Sequence, residues 1–134
     1  QDGDIAGVIH TTEKSTGIDM YMGIGGAPEG VLAAAALRCI GGQMQTKLVL
    51  EDQEKKDRAA RLGITDLDKI YDLDDMVTGD ALFAATGVTN GSILSGIEIN
   101  SGIWTHTIVM RSSSKTIRWI TAHHQNIDKF NSQD

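Results

Sequence analysis

The sequence predicts an α/β fold: a three-layer αβα sandwich around a mostly parallel mixed sheet, with a C-terminal antiparallel hairpin. Three observations lead there. Helix-like and strand-like stretches alternate over the first two thirds of the chain, the pattern of helices laid on both faces of a sheet. Residues 31–40 are apolar and alanine-rich, follow a glycine loop, and read as a buried helix. In the last third, residues alternate in polarity on either side of a polar turn, the mark of a hairpin. A hairpin appended to a mostly parallel sheet is a normal variation.

The elements follow in order. Ile5, Val8 and Ile9 recur at helical spacing, and Asp2 or Asp4 suits the N-cap of that helix. The helix should end before Ser15-Thr16-Gly17. Residues 18–22 read as a short strand, then a glycine loop leads to the helix over 31–40, stopped by Gly41-Gly42. Residues 44–50 read as a strand. The charged stretch 51–62 has acids first and bases later, which suits the helix dipole, and it is expected to be a solvated helix. Gly63 and Ile64 fit a Schellman ending. Ile70 and Tyr71 suggest another short strand, and Asp74-Asp75-Met76-Val77 a helical turn closed by Gly79. Asp72, Asp74 and Asp75 do not follow a calcium-loop spacing and read as capping and surface acids. Residues 81–85 suit a buried strand, and Thr89-Asn90-Gly91 a turn. The hairpin joins 103–111, with Trp104, His106, Ile108 and Met110 on one side, to 116–122 through Ser112-Ser113-Ser114-Lys115. His123 and His124 are neighbours that a strand would point to opposite faces, so they read as a surface pair and not a metal site. One domain is expected over 1–124, with a polar tail over 125–134.

Composition narrows the function. The chain has 134 residues, 40% of them hydrophobic, enough for one domain with a core. A net charge of −6 with only 4% aromatic residues argues against nucleic-acid binding. No apolar run is long enough to span a membrane, and no signal peptide is visible. Cys39 is the only cysteine, which excludes an intrachain disulfide and suggests a small buried hydrophobe and a cytoplasmic location. The chain opens on Asp2-Gly3-Asp4 with no lead-in, as expected of a fragment of something longer.

The chemistry centres on Met22-Gly23-Ile24-Gly25-Gly26-Ala27-Pro28-Glu29-Gly30, which holds four glycines and the chain's only proline. Glycine permits positive φ and close approach of a ligand, and proline is favoured where a helix begins. A loop opening a helix in this way presents free N–H groups, a setting for phosphate. Glu29 has two readings from spacing alone. It complements the dipole in the first helical turn, or it holds a divalent cation that bridges to a phosphate. Neither the dinucleotide fingerprint nor the P-loop is present, because the sixth position from Gly23 is Pro28 and no lysine occurs before Lys47 within reach of the loop.

The ensemble of motifs resembles a known family. Asp2-Gly3-Asp4, the run from Gly23 to Val31, the stretch Ala34-Ala35-Ala36-Leu37-Arg38-Cys39-Ile40-Gly41-Gly42, residues 59–64, Leu82-Phe83-Ala84-Ala85-Thr86-Gly87-Val88-Thr89, and Val109-Met110-Arg111-Ser112 together resemble class II fructose-1,6-bisphosphatases of the GlpX type. The likeness runs to about His123. It implies the C-terminal half of a layered αβα enzyme, one of the metal-dependent, lithium-sensitive sugar phosphatases. Such enzymes hydrolyse the 1-phosphate of fructose 1,6-bisphosphate, and some accept sedoheptulose 1,7-bisphosphate. The resemblance puts Glu29 at a metal-ligand position for Mn2+ or Mg2+, Gly26 at a backbone contact to substrate, and Asp2, Gly3 and Asp4 in the segment that meets the sugar hydroxyls. These positions are expected on one edge of the sheet, with the Glu29 carboxylate facing solvent. The family's other metal carboxylates and its phosphate-holding basic residues fall in the missing N-terminal half. The 134-residue chain alone is therefore expected to be inactive, and to expose an apolar surface that favours a homo-oligomer. The alternative is a non-catalytic phosphosugar-binding or assembly module.

Overall fold

The computed structural model describes residues 4–126. Asp2 and Gly3, and most of the expected tail, lie outside the described residues.

Helix α1, Asp4–His10, carries Ile5 and Ile9 inward, as their spacing predicts. Thr11 and Thr12 continue its last turn by donating their hydroxyls to the carbonyls of Val8 and Ile9 at 2.7 Å. A 3-10 turn, Lys14–Thr16, ends at Gly17 in the left-handed region, with φ +67°. No strand forms over 18–22, contrary to expectation. The side chains there suit one, but no neighbouring strand edge is offered to their backbone, and a ladder needs a partner.

Helix α2, Ala27–Ile40, starts four residues earlier than the apolar pattern suggested, because Pro28 and Glu29 are good first-turn residues. It stops at Gly41, with φ +101°, whose N–H bonds to the carbonyl of Leu37 at 2.7 Å. A side chain at Gly42 would strike Leu37 and come within 3.1 Å of Thr12. At Gly7 it would meet the ring of Tyr21 at 2.7 Å. The C-terminal ends of α1 and α2 thus lie together, with Tyr21, in the lead-in to α2, over the middle of α1. The two helices pack against each other.

The expected strand over 44–50 shrinks to β1, Gln45–Thr46, which pairs antiparallel with β2, Tyr71–Asp72. Between them, α3, Gln53–Arg61, is solvated apart from buried Ala59. Asp52 caps its start, accepting from the Lys55 N–H at 2.8 Å. The expected Schellman ending is present: Gly63, with φ +80°, donates to Ala60 and Ile64 donates to Ala59. Helix α4, Leu73–Met76, is held by a reciprocal cap between Asp72 and Asp75. The Asp72–Asp75 cluster is thereby accounted for, with Asp75 also pairing with Lys69 and Asp74 with Arg38.

The main sheet contains β3, Leu82–Thr86; β4, Glu98–Ile99; β5, Ile103–Arg111; and β6, Thr116–His124. Strand β5 is central. β6 pairs along its whole length on one edge, and β3 and β4 share the other. The hairpin forms as expected, with Arg111 opposite Thr116. One face of this sheet meets α1 and α2. There Ile9, Ala36, Cys39, Phe83, Ile108 and Met110 form the core. Burial pushes the Cys39 thiol up from its ordinary pKa, as befits the small hydrophobe the sequence suggested.

Two expectations about the sheet need correcting. Every ladder among the described residues is antiparallel, so the mostly parallel order is not found. Helix–strand alternation suggested crossover units, but the strands flanking α3 pair with each other and residues 18–22 pair with none. Helices also cover one face only among the described residues. On the other face Leu82 is 70% and Ile120 44% exposed, which makes β3 half-buried. α3 is too polar to close that face, and α4 packs on α2.

The hairpin turn is tied to β3 by Asp80. Arg111 donates to its carboxylate at 2.9 and 2.7 Å, the Ser112 hydroxyl at 2.8 Å, and the Ser113 N–H and hydroxyl at 3.0 Å. The Arg111 guanidinium, then these Ser112 and Ser113 donors, hold the Asp80 carboxyl well below the usual carboxylate range. A depressed folded-state pKa gives stability that is full above the unfolded value, about 3.9, and is lost as pH falls towards the folded value. Asp80→Asn is therefore expected to lower the urea midpoint at pH 7. Its gap from the parent chain should persist down to about pH 4 and close below it. A gap that stayed constant down to pH 2.5 would show that the charge of Asp80 plays no part.

Candidate functional site

The N-terminus of α2 is the candidate site. Gly26 is its N-cap, extended at φ −71°, ψ 158°, and accepts the Gly30 N–H at 3.1 Å. Ala27, Pro28 and Glu29 complete the first turn. The helix leaves its first N–H groups without intrahelical partners, and Pro28 has none to offer. The amides of Ala27 and Glu29 are therefore the donors available there. Glu29 is exposed and makes no ion pair among the described residues. Its carboxylate folds back over Gly26, where an added Cβ would collide with Oε2. Only glycine at position 26 leaves that carboxylate its place. The arrangement is an accessible hard oxygen donor beside two free amides, suited to Mg2+ or Mn2+ and to a phosphoryl oxygen.

Asp4 opens α1, which packs against α2. The expected common edge rested on a rule for parallel sheets, and every ladder among the described residues is antiparallel.

Among the described residues no group of three His, Cys, Asp or Glu side chains stands close enough to hold a metal. Glu29 therefore has no such group about it among the described residues. His123 stacks on Trp104 with ring centroids 4.1 Å apart, whereas His124 Nε2 lies 3.0 Å from the Thr105 hydroxyl on the other face. Sequence reasoning missed one polar pair. His106 Nδ1 lies 3.2 Å from the Thr121 hydroxyl, and its buried Nε2 faces Glu98 Oε1 at 3.6 Å without a hydrogen bond. No local motif announces this pair, because the β4–β5 ladder brings it together. A cleft of about 480 Å³ lies near the other end of α2, lined by Arg38, Asp74, Asp80 and Lys115. Its cations are engaged: Arg38 binds Asp74 and the Gly79 carbonyl, and Lys115 donates to the Arg38 carbonyl at 2.8 Å. These contacts clasp the surrounding elements together.

The sequence model of the family described as bacterial fructose-1,6-bisphosphatase, glpX-encoded, matches residues 1–124. The chain is 41% identical over 138 residues to the fructose-1,6-bisphosphatase class 2 of Haemophilus influenzae, a stretch covering 92% of this chain and 41% of that protein. It is 36% identical over 137 residues to the D-fructose 1,6-bisphosphatase class 2/sedoheptulose 1,7-bisphosphatase of Synechococcus sp. strain JA-3-3Ab, covering 92% of this chain and 40% of the relative. The chain thus spans about two fifths of the length of the curated relatives it matches. Among the described residues no helix is long and apolar enough to cross a membrane.

Proposed function

The chain belongs to the glpX-encoded bacterial fructose-1,6-bisphosphatase family, and from that premise we propose that it supplies one wall of the active site of a metal-dependent sugar bisphosphatase. The reaction is hydrolysis of the 1-phosphate of fructose 1,6-bisphosphate to fructose 6-phosphate and phosphate. The observation that carries this reading is the exposed Glu29 carboxylate, unpaired among the described residues, beside Gly26 at the start of α2.

Glu29 would hold Mn2+ or Mg2+. Such a cation, when bound, polarises the phosphoryl group and lowers the pKa of water. Gly26 gives substrate a close approach to the backbone, and the Ala27 and Glu29 amides offer donors to an oxyanion. Asp2, Gly3 and Asp4 accept from the sugar hydroxyls in this reading. A carboxylate is a good acceptor there and repels the phosphates, which favours the hydroxyl end of the substrate. The remaining metal and phosphate ligands come from the N-terminal half. We place the enzyme in the cytoplasm, which suits the free buried thiol of Cys39.

The test is a chimaera in which this chain replaces the matched region of the Haemophilus influenzae relative. With Mn2+ it is expected to release phosphate from fructose 1,6-bisphosphate, whereas the purified 134-residue chain is not. A hard divalent site normally takes six or more oxygen ligands, and Glu29 is one. Phosphate release by the chain alone, or a folded but inert chimaera, would overturn the proposal. In the second case a phosphosugar-binding or assembly role remains.

A further inference from the structure

We propose that Met76, on α4, is a positioning residue for Glu29: it braces the first turn of α2 and so holds the carboxylate that the proposed function assigns to the cation. The inference rests on that reading of Glu29. Its own observations lie in the packing of α4 on α2 and involve no metal.

Position 30 is where the brace meets the turn. Gly30 is not in the left-handed region, so its backbone does not call for glycine. Nor does crowding, because a Cβ there would meet Met76 Cε at 3.5 Å, an ordinary contact. Glycine in a helix is destabilising relative to alanine. The turn that carries Glu29 is therefore left weak by its own sequence. It is closed by the Gly30 N–H bonding to the Gly26 carbonyl at 3.1 Å, and helix ends fray. Among the described residues, Met76 Cε is the one atom of another element within 4 Å of that Cβ position.

α4 can brace because it is itself pinned. Asp72 and Asp75 cap it reciprocally, and Lys69 pairs with Asp75 at 2.7 Å. β2, which leads into it, pairs with β1. Further along α2, Arg38 ties to Asp74 and donates to the Gly79 carbonyl at 2.8 Å. The α4 segment thus grips α2 at Gly30 and at Arg38, about 12 Å apart along the axis at 1.5 Å per residue. One contact would leave the helix a pivot, whereas two so spaced fix its direction. A metal ligand tolerates little freedom, so the brace on the turn beside Glu29 carries function as well as packing.

Met76→Ala in the chimaera is expected to raise the Mn2+ concentration for half-maximal rate about tenfold, the lower end for losing a group that orients a metal ligand. The rate at saturating Mn2+ should stay near the parent value, because a loosened ligand lowers the competent fraction and binding restores it. Without metal, in the chimaera and in the chain alone, the Gly30 amide should exchange about tenfold faster in Met76→Ala, beside unchanged β5 amides. The second test pairs Met76→Leu with Gly30→Ala. Leucine withdraws the terminal methyl from the turn, and a methyl at position 30 enters the space left. Met76→Leu should therefore raise the half-saturating Mn2+ in the parent background and leave it unchanged in the Gly30→Ala background. Additive effects of the two changes, or a Gly30 amide indifferent to Met76→Ala, would overturn the proposal. So would loss of β5 and Gly30 protection together in Met76→Ala, because Met76 would then hold the fold and not the turn. An inert parent chimaera whose Gly30 amide still responds to Met76→Ala would sink the enzymatic reading and leave the brace standing.

Discussion

Glu29→Gln in the chimaera is expected to lower turnover at saturating Mn2+ by about 100-fold or more, and to raise the metal concentration needed for half-maximal rate. Loss of a group that only orients a metal ligand costs roughly 10–100-fold, so loss of a ligand itself should reach at least the upper end. Gln keeps the shape of the side chain and its place over Gly26, but it removes the charge that a hard cation requires. The fold should be nearly untouched. Glu29 is exposed at the third position of α2, so only the dipole interaction is lost, about 0.3–1 kcal/mol. This separates the two readings of the residue. If Glu29 serves only the helix start, the rate at saturating metal stays at the parent value and stability falls slightly. If it holds the cation, the rate collapses and stability hardly moves.

Elements defined by local chemistry were legible in the sequence. The α2 stop at Gly41, the Schellman ending at Gly63, the Asp72 cap and the β5–β6 hairpin all follow from residues within a few positions of one another. Elements defined by distant partners were not. The strand expected over 18–22 has the right side chains but no edge to join, and β1 is short because only β2 meets it. The mostly parallel order failed for the same reason: alternation reports which segments are helical or strand-like and not which strands pair. At the site, the glycine loop and Glu29 could be singled out because glycine, proline and glutamate at one helix start form a local pattern, whereas the particular place of Gly26 came from the family resemblance. The folding of the Glu29 carboxylate over Gly26 is geometric, and no spacing announces it. Nor does anything in the sequence foretell the meeting of His106 with Glu98, which depends on the β4–β5 register.

Met110→Ala is expected to destabilise the chain by about 2–5 kcal/mol, read from the urea midpoint. Met110 is fully buried on β5, between Phe83 of β3 and Ile117 of β6 in register, facing α1 and α2. The helical side of this interface is built largely from small residues: Ala33, Ala34, Ala36 and Cys39 are the buried side chains of α2 beside Leu37. The large sheet residues therefore fill the space between the layers, and their loss leaves a gap that alanines cannot close. Folded domains hold only about 5–15 kcal/mol in total. With one sheet face uncovered among the described residues, a loss of this size takes a large share of what this chain has. Met110→Leu conserves volume and should cost less than about 1.5 kcal/mol. The same interface fixes the axis of α2, which carries Glu29 at its far end. In the chimaera, Met110→Ala should therefore lower the melting temperature and weaken metal dependence together, whereas Glu29→Gln alters the second alone. A cost below about 1 kcal/mol for Met110→Ala would mean that the helices close onto the sheet around the gap, and that α2 is positioned by something other than this core.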